Sequence, residues 1–235
     1  GGATWRGACE SVAGIYGVAP SVVAVPLPAM MPVMEFAIRT GVKLVVRLGA
    51  CSLEAGGPVM GAVHAWLRDH APEWVVLRPT WFMQNLSEGQ LLAPIRDQSA
   101  IYTATGVGRV GFIDAKDIAA VAVEALSQSA FASSDLILTG PAALSYDDVA
   151  KTLTDVTKNP VVHHSLSEAE LSERHMAAGL PKAYATTLAA MDTSIAQGSA
   201  DRVTENVFRV TGHRPTSLAE FAVRHRAAWR SQVEA

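Results

Sequence analysis

Short apolar runs spaced by helix-forming segments constrain this chain more than any other feature. Ser21–Val25, Lys43–Leu48 and Trp74–Leu77 are rich in Val and Leu and show no polar alternation. Strands of that kind are buried on both faces, as in a parallel sheet. The segment from Pro32 to Thr40 has helical spacing, with Met34, Ala37 and Ile38 on one face. Pro32 suits a first helical turn there, and Gly41 suits a C-terminal cap. Gly56-Gly57-Pro58 leads into a second helix over about residues 59–69. Residues 12–20 read as a helix end and a turn. The strand–helix–strand–helix–strand order predicts an α/β fold with a doubly wound parallel sheet.

The stretch from Trp74 to Leu126 carries the most chemistry. The strand Trp74–Leu77 stops at Arg78-Pro79, and an aromatic and amide cluster follows (Trp81, Phe82, Asn85). Polar and aromatic groups just past the C-terminal end of a strand are where open α/β sheets hold ligands. A short strand is expected from Val110 to Ile113, running into Asp114-Ala115-Lys116-Asp117 and an alanine-rich helix. Asp117 reads as a cap near the positive helix end. Gly106-Val107-Gly108-Arg109 reads as a turn rather than a phosphate loop.

Beyond Leu136–Leu138, another short strand, the chain turns mostly helical. Ser145 and Asp148 form a capping box with Asp in place of Glu. A helix starts at Ser167-Glu168-Ala169-Glu170 and ends at Gly179-Leu180-Pro181, and Thr216–Phe221 opens the last one. This predicts a sheet domain over residues 1–140 and a helical substrate lobe over 141–235.

Composition narrows the functions. The chain has 235 residues, 49% of them hydrophobic, and a net charge of −3. That size and balance fit one large domain with a small lobe. No apolar run is long enough to span a bilayer, since the segment from Val22 to Ile38 is broken by prolines and holds Glu35. The charge gives no nucleic-acid footprint. Cys9 and Cys51 make neither a disulfide framework nor a metal site, and His163-His164 lack further ligands and read as exposed. The expected setting is cytoplasmic, with a small-molecule substrate, neither nucleic acid nor membrane as partner, and room for a homodimer.

LVVRLGACS, GAVHAWLRD, WVVLRPTWFMQN and FIDAKDIAAVAVEAL resemble the NmrA-like group of atypical short-chain dehydrogenases/reductases, and within it the ergot-alkaloid-biosynthesis dehydrogenases and their bacterial relatives. The likeness covers roughly residues 20 to 225. It implies a Rossmann-type sheet, a small substrate lobe and a cofactor, NADP(H) or NAD(H), with NADP preferred. The family's glycine-rich turn finds no match in this alignment. The alignment expects most of the first βαβ unit to be missing, hence a partial, N-terminally incomplete Rossmann-type domain.

The resemblance also assigns candidate residues. Pro26, Leu27, Pro28, Gly49, Ala50, Cys51, His64, Pro79, Thr80, Trp81 and Phe82 fall at cofactor-binding positions. Ser52, Phe82, Met83 and Asn85 fall at substrate-binding positions. The family's Tyr-x-x-x-Lys register reads Met60-Gly61-Ala62-Val63-His64, so the standard proton donor is Met60, which transfers no proton. His64 is the candidate catalytic residue, able to hold a ribose hydroxyl or act as acid or base. Hydride transfer to an iminium or another activated double bond fits that set. Two other readings stand beside this reductase: a non-catalytic nucleotide sensor or interaction protein, and a truncated form that binds no cofactor.

Overall fold

The computed structural model describes residues 2–9, 11–19, 26–57 and 60–230. In chain order the elements are α1 (Gly2–Cys9), β1 (Gly14–Gly17), α2 (Pro26–Arg39), β2 (Leu44–Leu48), α3 (Met60–His70), β3 (Glu73–Pro79), α4 (Gln84–Ser87), α5 (Leu92–Gln98), β4 (Ala100–Thr103), α6 (Ala115–Ser127), β5 (Ser134–Leu138), α7 (Tyr146–Thr157), β6 (Val162–Ser165), α8 (Glu168–Ala177), α9 (Lys182–Ala196), α10 (Asn206–Thr211) and α11 (Leu218–His225). Among the described residues no helix is long and apolar enough to cross a membrane.

The chain forms two compact units, and it leaves and re-enters each of them. The first comprises residues 1–79, 116–138 and 206–213, and the second comprises 80–115, 139–205 and 214–235.

The first unit is a parallel four-stranded sheet in the order β1-β2-β3-β5. Val45 and Val76 turn to one face, where they pack with Met30 and Met34 of α2 and with Val63 and Leu67 of α3. Ile15 of β1 packs on that face, so its neighbour Gly14 points to the other. A Cβ on Gly14 would meet the Leu126 side chain of α6 at 3.0 Å, which places α6 on the opposite face. Helices on both faces explain the unbroken apolar strands. The doubly wound, Rossmann-type sheet is thus present.

Several local expectations change. Residues 14–17 are strand β1 rather than a helix tail, because Gly14–Gly17 pairs in register with Leu44–Arg47. The strand expected at Ser21–Val25 lies outside the described residues. Pro26-Leu27-Pro28 opens α2, and Pro32 sits inside that helix rather than in its first turn. Proline is at home in a first turn, where no N–H is needed, so Pro26 and Pro28 make the start and Pro32 only removes one internal bond. Gly41 caps the helix at φ +103°, as its position suggested.

The second unit is mostly helical around a short parallel pair, β4 and β6. Its core gathers Met83, Leu86, Ile101, Phe112, Tyr146, Leu153 and Phe221. Trp229 closes it, its indole N–H donating to the Leu86 carbonyl at 2.7 Å. The capping box of Ser145 and Asp148 is formed, and Ser167 with Glu170 and Ser217 with Glu220 form two more. Val110–Ile113 is not a strand of a sheet. It makes single bridges, Val110 to Leu144 and Ile113 to Phe82. The turn at Gly106 is present, with φ +54° and Gly108 N–H donating to the Thr105 carbonyl.

Candidate functional site

Within the first unit, the candidate residues cluster where β2 and β3 end. The ladder continues past β2, with Gly49 N–H donating to Leu77 O at 2.7 Å and Cys51 N–H to Pro79 O at 2.9 Å. A side chain at residue 49 would crowd Val76 at 3.2 Å and the Leu77 carbonyl at 3.3 Å, so glycine lets the turn lie close to β3. Arg78 then ties the turn down. Its guanidinium donates to Cys51 O at 2.9 Å and to the Asp135 carboxylate at 2.6 Å. Gly49, Ala50 and Cys51 are half-buried and Ser52 is exposed. Leu27 is half-buried and Pro28 exposed in the first turn of α2.

His64 projects from α3 and is buried, with 4% of its surface exposed. Its ring meets the edge of Trp74 at a centroid distance of 5.3 Å, and its Nδ1 has no hydrogen-bond partner. Burial lowers its pKa; Asp135 opposes the shift, while Arg78, Arg47 and Arg68 add to it. The imidazole is therefore held neutral at ordinary pH. Arg47 escaped the sequence argument. It lies on β2 at 1% exposure, donates to the carbonyl of Met60, the first residue of α3, at 3.2 Å, and leaves Nε and Nη2 without partners. Burial pulls its pKa down to about 10, so it stays a cation. A single arginine inside LVVRL was the available signal: a buried charge in an apolar strand costs free energy and is kept for a partner.

Within the second unit, Thr80 donates its hydroxyl to the Gly111 carbonyl. Met83 N–H donates to Ile113 O at 2.8 Å, and Ile113 N–H to Trp81 O at 3.0 Å. This pairing holds the segment after Pro79 against residues 111–113. Gln84 spans the same joint: its amide donates to the Asp114 carboxylate at 2.8 Å and accepts from Ala115 N–H at 3.0 Å. Arg224 completes the network on Asp114, a buried carboxylate. Met83 is buried and lines an apolar cavity of about 230 Å³ with Phe112, Pro141, Leu144 and Leu218. Trp81, Phe82 and Asn85 are half-buried.

The burial of two polar groups in this unit was not legible in the sequence. His163, expected to be exposed, keeps 2% of its side chain accessible, with Nδ1 on Asp147 at 3.0 Å and Nε2 on the Thr103 hydroxyl at 2.8 Å. Its neighbour His164 is exposed, and no metal-binding group occurs among the described residues. Asp192 is buried on α9, accepts Ala104 N–H at 3.0 Å, and has its pKa raised to about 6 by burial. A carboxyl whose folded pKa lies above its unfolded value near 3.8 stabilises the fold when protonated, and that contribution is lost as pH rises towards about 6. Asp192→Asn is therefore expected to stabilise the protein above about pH 6 by on the order of 2–3 kcal/mol and to flatten the slope between about pH 4 and 6. Urea unfolding across that window reads the effect, and equal slopes in both proteins would reject it.

No family model matches the chain. The chain is 45% identical over 224 residues to an uncharacterised oxidoreductase, YesF, of Bacillus subtilis (strain 168), covering 95% of this chain and 78% of the relative. It is 41% identical over 204 residues to agroclavine dehydrogenase of Claviceps purpurea, covering 85% and 70%. Among solved structures it is similar to the NADPH-dependent quinone oxidoreductase QOR2 of Escherichia coli in complex with NADPH, with TM-score 0.84, 23% identity, and 96% and 80% of the two chains covered. NmrA, a negative transcriptional regulator in complex with NAD, gives TM-score 0.70 at 12% identity, covering 93% and 75%. At those identities the structural likenesses establish the fold alone.

Proposed function

This chain belongs to the NmrA-like group of atypical short-chain dehydrogenases/reductases, with a clavine dehydrogenase among its relatives, and we propose that it is an NAD(P)H-dependent reductase acting on a small unsaturated or iminium-type substrate. Identity of 41–45% to an oxidoreductase and a dehydrogenase over most of the chain supports the reaction class.

The observation that carries the finer reading is the start of α3. The residue at the proton-donor register is Met60, and the polar group one turn later, His64, is held neutral. A nicotinamide cofactor fits these residues through an orphaned atom, since the unpartnered, buried Nδ1 of His64 suits one ribose hydroxyl. Gly49, Ala50, Cys51 and Pro79 would hold the same half of the cofactor from the first unit, with Pro26, Leu27 and Pro28 at the start of α2. Thr80, Trp81 and Phe82 continue the chain from Pro79. The nicotinamide, when bound, supplies a hydride. We assign NADP(H) ahead of NAD(H), because the structural neighbour with the higher TM-score was solved with NADPH.

Met60 contributes no proton, which suits a substrate that needs none. Hydride addition to the carbon of an iminium sends the C=N π pair to nitrogen and neutralises it, leaving an amine. Ser52, Phe82, Met83 and Asn85 are the residues we assign to the substrate. Met83 with its apolar cavity would house the body of the molecule.

Calorimetric titration with NADPH and NADH, followed by turnover on iminium, quinone and azo substrates, tests the reading. Binding with oxidation of NADPH by an iminium is the expected result. Absence of binding at millimolar nucleotide would overturn it, and binding without turnover on any substrate would favour the nucleotide sensor. His64→Ala is expected to raise KM for NADPH about tenfold with kcat largely retained, the size of one lost hydrogen bond. Unchanged KM in a folded variant would rule out the ribose contact.

A further inference from the structure

A cavity of about 380 Å³ lies in the second unit, and none of its residues belongs to the cofactor or substrate set above. Its volume is within the range of small-molecule sites. Leu91, Pro94 and Leu171 give it apolar lining. The opposite character comes from Arg174 of α8, whose guanidinium lies 3.5 Å from the ring centroid of Tyr102. The same guanidinium donates to the Gln98 side chain at 2.9 Å. Tyr102 in turn stacks on His164, at a ring separation of 5.1 Å. Arg174 is thus oriented by a ring and an amide, neither of which neutralises it. Among the described residues no carboxylate pairs with it.

A cation held in fixed orientation in a cavity with apolar lining selects for a ligand of complementary build. The guanidinium edge offers parallel N–H donors that match the two oxygens of a carboxylate. His175, next to Arg174, lines the cavity, and burial, with Arg174 adding, lowers its pKa, so it stays a neutral hydrogen-bonding group. An iminium or other cation would be repelled here, which sets this cavity apart from the proposed reductase substrate. We propose that it is a separate binding site for a small organic monocarboxylate, with Arg174 holding the carboxylate and Leu91, Pro94 and Leu171 covering the apolar body.

Benzoate is the probe and benzamide its uncharged counterpart. Ligand-observed NMR of the full chain should show saturable benzoate binding, with benzamide weaker by about tenfold or more, the size of one lost charge-assisted contact. Arg174→Gln should weaken benzoate to the same extent and leave NADPH affinity unchanged. The proposal fails if benzoate shows no saturable binding at millimolar concentration, if benzamide binds as well, if folded Arg174→Gln retains benzoate, or if NADPH displaces it. Should Arg174→Gln not fold by circular dichroism, Ala177→Phe at the exposed rim decides: lost binding supports the site and retained binding overturns it. No readout depends on reductase activity, so failure of the reductase reading leaves this result interpretable.

Discussion

Gly140→Ala is expected to destabilise the protein by about 3 kcal/mol or more, the upper end for forcing an atom into a packed interior. An added Cβ would fall inside the radius of the Phe112 carbonyl oxygen, and the Met83 methyl group lies only 3.5 Å away. Gly140 N–H also donates to the Gly111 carbonyl, so the two backbones are already joined and neither moves alone. For a chain of this length that corresponds to a fall in Tm of about 10 °C, measurable by thermal unfolding. Gly7→Ala is the control of opposite sign. Gly7 lies inside α1 with nothing near its missing Cβ, so alanine should stabilise by about 0.5–1 kcal/mol. Equal Tm values for Gly140→Ala and the parent would show that the residue 112 backbone yields freely.

The second large effect is expected at Arg78. Arg78→Met removes the cation that joins β3 to Asp135 on β5 and to the Cys51 carbonyl beyond β2. Breaking a buried pair from one side costs about 3–5 kcal/mol, and the lower end applies because Asp135 keeps 38% of its side chain exposed. The cost arises from the partners left behind, so Arg78→Met with Asp135→Leu should recover part of it. The turn at residues 49–51 loses its tie in both variants, so KM for NADPH should rise in both. Chemical denaturation reads stability, and initial rates read KM. A double variant no more stable than the single one would sink the pairing argument.

Much of the sheet was legible along the chain because its signals are local. LVVRL and WVVLRP are apolar without alternation, and that pattern belongs to strands covered on both faces. Ser145 with Asp148 and the turn after Thr40 were legible for the same reason, as each is closed by residues a few positions apart. The motif following Arg78-Pro79 also carried the family likeness. GIYG at 14–17 was not legible: four residues with two glycines have no strand preference of their own, and only the ladder to Leu44–Arg47 makes them β1. Val110–Ile113 fails in the opposite sense. It has strand composition, but among the described residues its bridges are single ones, to Leu144 and to Phe82, with no ladder.

The candidate site divides along the same line. Sequence alone determined the residue types available: Gly49, Cys51 and Pro79 around the ends of β2 and β3, and Met60 and His64 on α3. Tertiary structure decided their state. His64 is neutral because packing against Trp74 strips its water and nearby arginines oppose its charge. His163 became an interior hydrogen-bonding group because β6 pairs with β4 and brings Thr103 to it. Asp192 holds its proton towards about pH 6 because α9 is packed, not because of its neighbours in sequence. Propensity, capping and apolar patterning act over a few residues and can be read from order alone. Desolvation and the partner that relieves it are properties of distant segments, and they exist only once the chain has folded.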